Sequence, residues 1–130
     1  MTLALDIGHY GSPLLRGAKH WSFLLMNFDG TAIAYQISGS TNDYYLKDPV
    51  LVVPNRVQSY MGRVNVGQIS VERVKDFDDV LKSVPVIRGS LQWNCQDWII
   101  DALTMLRYNG FRVEALTKEA LTLRLSTVVA

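Results

Sequence analysis

Cysteine is nearly missing from this chain, and Cys95 is the only one in 130 residues. That excludes an intramolecular disulfide and any site built from several thiolates. Histidine is almost as scarce, with His9 and His20 alone, so the soft ligands are too few for a metal centre and no metal or other cofactor is expected. An excess of either charge is also lacking, since 13 Lys+Arg against 12 Asp+Glu leave +1. The balance holds in both halves, with five basic and four acidic residues through Ser70 and eight of each beyond it. No basic arm or acidic tail is hidden in the total, and nucleic-acid binding by bulk charge is excluded. Apolar runs stay far short of the ~20 residues that span a bilayer. The N-terminus, Met1-Thr2-Leu3-Ala4-Leu5-Asp6, has neither the charged start nor the long apolar stretch of a signal peptide. These absences lead us to expect a soluble protein of a reducing compartment, the cytoplasm, with no membrane span and an oligomeric state left open.

What is present is enough apolar material for one compact domain over residues 1–130, with 48% hydrophobic and 19% charged residues. The run Leu3 to Ile7 reads as a first strand, ended by the turn formers Gly8-His9-Tyr10-Gly11-Ser12-Pro13. His20 to Phe28 and Thr31 to Ser38 are β-forming segments joined by Asp29-Gly30, the chain's clearest hairpin signal. Alternation sets His20, Ser22, Leu24 and Met26 on one face and Trp21, Phe23 and Leu25 on the other. Gly39 to Pro49 reads as a surface loop, Val50 to Val53 as a short strand closed by Pro54, and Ser59 to Ile69 as a fifth, partly exposed strand.

From Ser70 the period changes. Val74, Phe77, Val80, Leu81 and Val84 fall at helical spacing between a capping Ser70 and a terminating Pro85. A second helix is expected over Asn94 to Tyr108, closed by Asn109-Gly110, and a third from Thr117 to about Val128. Strands first and helices later make an α+β arrangement with a sheet of about five strands.

Cys95 falls in the first turn of the second helix, where unpaired backbone N–H groups and the helix dipole favour a thiolate and a developing oxyanion. An imidazole such as His20, opening a strand, could take its proton and pass it to a leaving group. Composition leaves the plainer alternatives open: a lone cysteine on an apolar stripe is commonly a small buried hydrophobe, and a histidine at a strand start commonly makes a structural hydrogen bond. His9 falls in the expected loop and could border a cleft, or simply be solvated. Tyr44, beside Tyr45, could form a lid or specificity wall, or pack back onto the sheet.

Two segments carry a family likeness: Lys19-His20-Trp21-Ser22-Phe23-Leu24-Leu25, early and on a strand, and Trp93-Asn94-Cys95-Gln96-Asp97-Trp98-Ile99, late and opening a helix. Together they resemble the permuted papain-like group, which includes lecithin:retinol acyltransferase-like enzymes and desumoylating isopeptidases and is related by circular permutation to NlpC-type peptidases. The chain is closer still to a set of small fungal proteins that share the Leu3-Ala4-Leu5 strand, Val74-Lys75-Asp76-Phe77, Val84-Pro85-Val86 and Trp93-Asn94-Cys95. The resemblance implies a permuted papain-like domain in which Cys95 is the nucleophile and His20 its base. Those relatives often carry a second histidine or another polar residue on the next strand, where this chain has Ala34-Tyr35-Gln36-Ile37. Gln36 would then orient His20, although an amide cannot stabilise an imidazolium as a carboxylate does. Trp21, Asn94, His9 and Tyr44 become the candidate substrate-binding residues.

The expected activity is thiol-dependent hydrolysis or transfer of an acyl group from an amide, peptide or ester, on a small-molecule or peptide substrate. Two alternatives stand beside it: a non-catalytic module that binds a small molecule or peptide on the same fold, and a biosynthetic cyclase-type enzyme using the cleft.

Overall fold

The computed structural model describes residues 1–11 and 19–128. Its centre is a six-stranded sheet in which every adjacent pair is antiparallel. In chain order the strands of the molecule are β1 (Thr2–Tyr10), β2 (His20–Met26), β3 (Ala32–Tyr35), β4 (Ile37–Ser38), β5 (Tyr45–Leu46), β6 (Val50–Val52), β7 (Tyr60–Ser70) and β8 (Arg112–Val113). Across the main sheet they run β6-β3-β2-β1-β7-β8, while β4 and β5 form a separate pair. Three helices follow β7: α1 (Val74–Ser83), α2 (Cys95–Tyr108) and α3 (Lys118–Ser126). The fold is α+β, as expected. It has a sixth sheet strand, β8, because Phe111 turns the chain back onto β7 between α2 and α3.

The hairpin forms where the sequence placed it. Gly30 takes a positive φ of 87°, and Asp29 Oδ1 accepts from the Thr31 backbone N–H and hydroxyl at 3.0 and 2.6 Å. The first strand is longer than its pattern suggests: Gly8, His9 and Tyr10 stay in β1, paired with Ser22, Trp21 and His20 of β2. Ser12 and Pro13 of the expected turn lie outside the described residues. The segment Gly39 to Pro49 is not all loop, because Tyr45 and Leu46 pair with Ser38 and Ile37. The fifth expected strand is an inner one, flanked by β1 and β8. Its Gly67 allows β8 to approach, since a Cβ there would sit 2.2 Å from the Arg112 carbonyl oxygen.

Strand alternation divides the apolar residues between two faces. Leu5, Ile7, Trp21, Phe23, Leu25 and Tyr35 join Phe77 and Leu81 of α1 and Trp98, Ile99 and Leu103 of α2 in the main core. Phe77 is its hub, fully buried and edge-on to Phe23, Tyr35 and Phe111. Leu24, Ala32 and Ala34 form a smaller cluster with Met26, Val52 and Tyr60. Ser70 does not cap α1: its hydroxyl bonds Glu72, and a 3-10 turn over Val71–Arg73 precedes the helix. Among the described residues no helix is long and apolar enough to cross a membrane.

Candidate active site

The start of α2 is a tightly specified corner. Asn94 is the N-cap, its side-chain oxygen accepting from the Gln96 N–H at 2.9 Å, while Asp97 Oδ2 accepts from the Asn94 N–H at 2.9 Å. Lys118 of α3 ties down the other oxygen of Asp97 at 2.8 Å. This corner is docked against the first residues of β2. Gln96, mostly buried, donates from Nε2 to the Lys19 carbonyl at 2.8 Å, and the Trp21 backbone N–H faces the Cys95 sulfur. The two contacts bracket His20 along the chain.

Cys95 is half-buried. Burial pushes its thiol up from the ordinary value of 9.0, opposed by the backbone N–H groups of Trp21, Cys95 and Gln96, with the negative charge of Asp97 adding to the rise. It therefore rests as a thiol near neutral pH.

His20 is tied to Gln36, the residue the resemblance pointed to, with Nε2 and Oε1 2.5 Å apart. With Nε2–H donated to the amide oxygen, the neutral ring keeps its lone pair on Nδ1. The Tyr10 ring packs against the imidazole with centroids 5.9 Å apart, and Tyr60 packs on Tyr10 at 5.8 Å. Burial raises the Tyr10 phenol to about 12, so it stays neutral through the physiological range. Arg63 donates to the Tyr60 hydroxyl at 2.9 Å and to Asp6 Oδ2 at 2.9 Å, bracing this stack from β7 and β1. Between the Cys95 sulfur and the imidazole the described residues show no hydrogen bond, and among them Gln36 is the only side chain hydrogen-bonded to His20.

His20 and Gln36 line a cavity of about 600 Å³, with Tyr10, Lys19, Lys47 and Ser59 as its other polar walls and Ala34, Val50, Val52 and Val57 as its apolar ones. Cys95 does not line it. The remaining sequence candidates are dispersed. Trp21 is 2% exposed, its indole in the main core against which Cys95 packs and its backbone N–H facing the sulfur. His9 is a strand residue rather than a loop one, 7% exposed, with Nε2 3.2 Å from the Met61 carbonyl. The side chain of Asn94 is engaged in the cap. Tyr44 does stand near the thiol, edge-on to Trp93 at 5.7 Å, with its phenol raised by burial and then by the charge of Cys95.

Tyr10, Lys47 and Gln96 belong to this region and were not singled out by sequence. Tyr10 is hidden by its turn-like neighbours, and Lys47 is brought to the site by a backbone bond from its N–H to the Gln36 carbonyl at 2.9 Å. Gln96 had a readable signal, a polar residue on the inward stripe of a helix whose first turn meets a strand. Among the described residues no group of three His, Cys, Asp or Glu could hold a metal ion.

No curated protein and no solved structure matches the chain. A family model described as a family of unknown function, DUF6914, matches residues 31–124, which takes in Gln36, Tyr44, Asn94 and Cys95 and begins just after β2. Since that match runs over well more than half of the sequence, the chain belongs to the DUF6914 family.

Proposed function

We propose that this protein is a thiol-dependent acyl hydrolase or acyltransferase of permuted papain-like architecture, acting on an amide, peptide or ester. The observation that carries the reading is the bond from His20 to Gln36, at the residue that lies between the two backbone positions bound by the start of α2. It fixes the tautomer that leaves Nδ1 as a base. Cys95 Sγ attacks the acyl carbonyl while its proton passes to His20; the imidazolium returns that proton to the leaving nitrogen or oxygen as the carbon–heteroatom bond breaks. The N–H groups at the head of α2 and of Trp21 are the donors for the oxyanion. Water then releases the acid, or an amine or alcohol takes up the acyl group.

Because the thiol is held up by burial, proton removal accompanies attack instead of preceding it. Gln36 gives the resulting imidazolium an acceptor but no negative charge. The test is intact-protein mass spectrometry after incubation with p-nitrophenyl acetate. One acetyl group should appear on the protein, be absent from Cys95→Ser, and form roughly a hundredfold more slowly in His20→Ala. Acetylation at the same rate in His20→Ala, or none at Cys95, overturns the reading.

A second reading, a binding module without turnover, has its own support in the absence of Cys95 from the cavity that His20 lines. It expects correctly folded Cys95→Ser protein to retain the full biological output.

A further inference from the structure

The cavity beside His20 differs from the rest of the site in being apolar on one side and cationic on the other. Ala34, Val50, Val52 and Val57 supply the apolar wall, and no Asp or Glu is among the described residues that line it. Lys47 stands at its polar side. Its backbone N–H is tied to the carbonyl of Gln36, the residue that holds His20. Lys47 forms no ion pair among the described residues, whereas the nearby lysine Lys82 pairs with Asp78 at 2.8 Å. A volume of about 600 Å³ is in the range of pockets for single small ligands and is too small for a two-chain lipid.

The chemistry assigns this cavity a side of the reaction. An imidazole that returns a proton to the leaving group must have that group on its own side, and the cavity contains the imidazole but not the sulfur. We infer that it is the subsite for the departing or accepting group, and that this group is an amine with a compact apolar body and a carboxylate: an apolar amino acid or short apolar peptide end. The carboxylate meets Lys47, the side chain packs on Val50, Val52 and Val57, and the nitrogen lies at His20. In hydrolysis the acyl–nitrogen bond breaks, sulfur takes the acyl group, and the nitrogen leaves with the proton that came from Cys95. In transfer the same nitrogen attacks the thioester, loses its proton to His20, and the proton ends on the released thiolate.

This assignment rests on the proposed acyl chemistry, but binding can be measured without it. Calorimetry on Cys95→Ser protein with the dipeptide Leu-Leu, and with Leu-Leu amide as its uncharged counterpart, reads the cavity alone. The acid should bind roughly three- to tenfold more tightly than the amide. That preference should vanish in Lys47→Ala, and Val52→Trp, which fills the apolar wall, should abolish binding of both. Because Val52 lies on an edge strand, a circular dichroism spectrum and melting curve matching the parent's must accompany that variant; Val57→Trp replaces it where they do not match. Equal affinity for acid and amide, a preference that survives Lys47→Ala, or binding untouched by either Trp substitution overturns the assignment. Binding with this pattern in a protein whose Cys95 never accepts an acetyl group leaves the cavity assigned and removes the acyl chemistry instead.

Discussion

At the scale of single residues, the decisive contact is an amide where a charge could stand. Gln36 accepts from His20 Nε2 at 2.5 Å, and replacing it by glutamate puts a carboxylate in the same place with little change of size. A carboxylate stabilises the imidazolium, and through it the thiolate–imidazolium pair, which the amide cannot do. Gln36→Glu should therefore lower the pH midpoint for alkylation of Cys95 by iodoacetamide, from a parent midpoint that burial sets above the ordinary thiol range. Gln36→Leu, which removes the acceptor, should slow acetylation without lowering that midpoint. A midpoint unmoved by the glutamate would disconnect Gln36 from the thiol. The pairing of His20 with Gln36 was suggested only by the family resemblance, which places a polar residue on the strand after the histidine; the hairpin pattern by itself did not single out Gln36. The Tyr10 ring on His20 was not legible, since Gly8-His9-Tyr10-Gly11 reads as a turn until both neighbouring strands are known to pair with it.

At the scale of elements, the corner that positions Cys95 depends on its cap. Asn94→Ala removes the acceptor for the Gln96 N–H and should cost about 1 kcal/mol in urea denaturation. It should also slow acetylation of Cys95, because the first turn of α2 presents both the sulfur and its N–H donors. Asn94→Ser, which restores an acceptor, should recover most of both. The helices were readable from their period, although the N-cap expected of Ser70 is not made and the caps that do form come from residues read only as helix starts. Thr117 caps α3 through the Ala120 N–H at 3.1 Å, and Asn94 caps α2 one residue before the observed start. Short pairings were not readable. Arg112–Val113 is two residues long, below the length at which alternation carries information, and its place beside β7 depends on the missing side chain of Gly67. Gly67→Ala tests this: its methyl would meet backbone rather than a yielding side chain, so β8 must move away, with a loss of stability and of amide protection at Val113.

At the scale of the whole molecule, pH bounds the stable range on both sides through groups the sheet buries. His9 lies on the core face of β1 beside Trp21, and burial, only partly offset by its bond to the Met61 carbonyl, lowers its pKa from 6.5, with Lys19 adding to the drop. In the unfolded chain the same imidazole titrates at the ordinary value, so between the two pKa values the unfolded state holds more protons. Stability contributed by neutral His9 is thus complete above about pH 6.5 and declines as pH falls toward the folded value. Cys95, Tyr10 and Tyr35 act at the other end. Each is raised by burial, the tyrosines to about 12, so each contributes stability that is complete below its unfolded pKa and is lost as pH rises toward the folded one. Urea denaturation of the parent should show a midpoint that drops on acidification from about pH 7 to pH 5. In His9→Gln, whose side-chain amide can still donate to Met61, the same interval should be flatter while the alkaline limb is unchanged. An acid limb of equal slope in parent and variant would place the titrating group elsewhere. Exposed Glu114 and Asp29, both held below the ordinary carboxylate range by hydrogen bonds, would be the next groups to replace, but their loss of stability belongs near pH 4 and not at the histidine's interval.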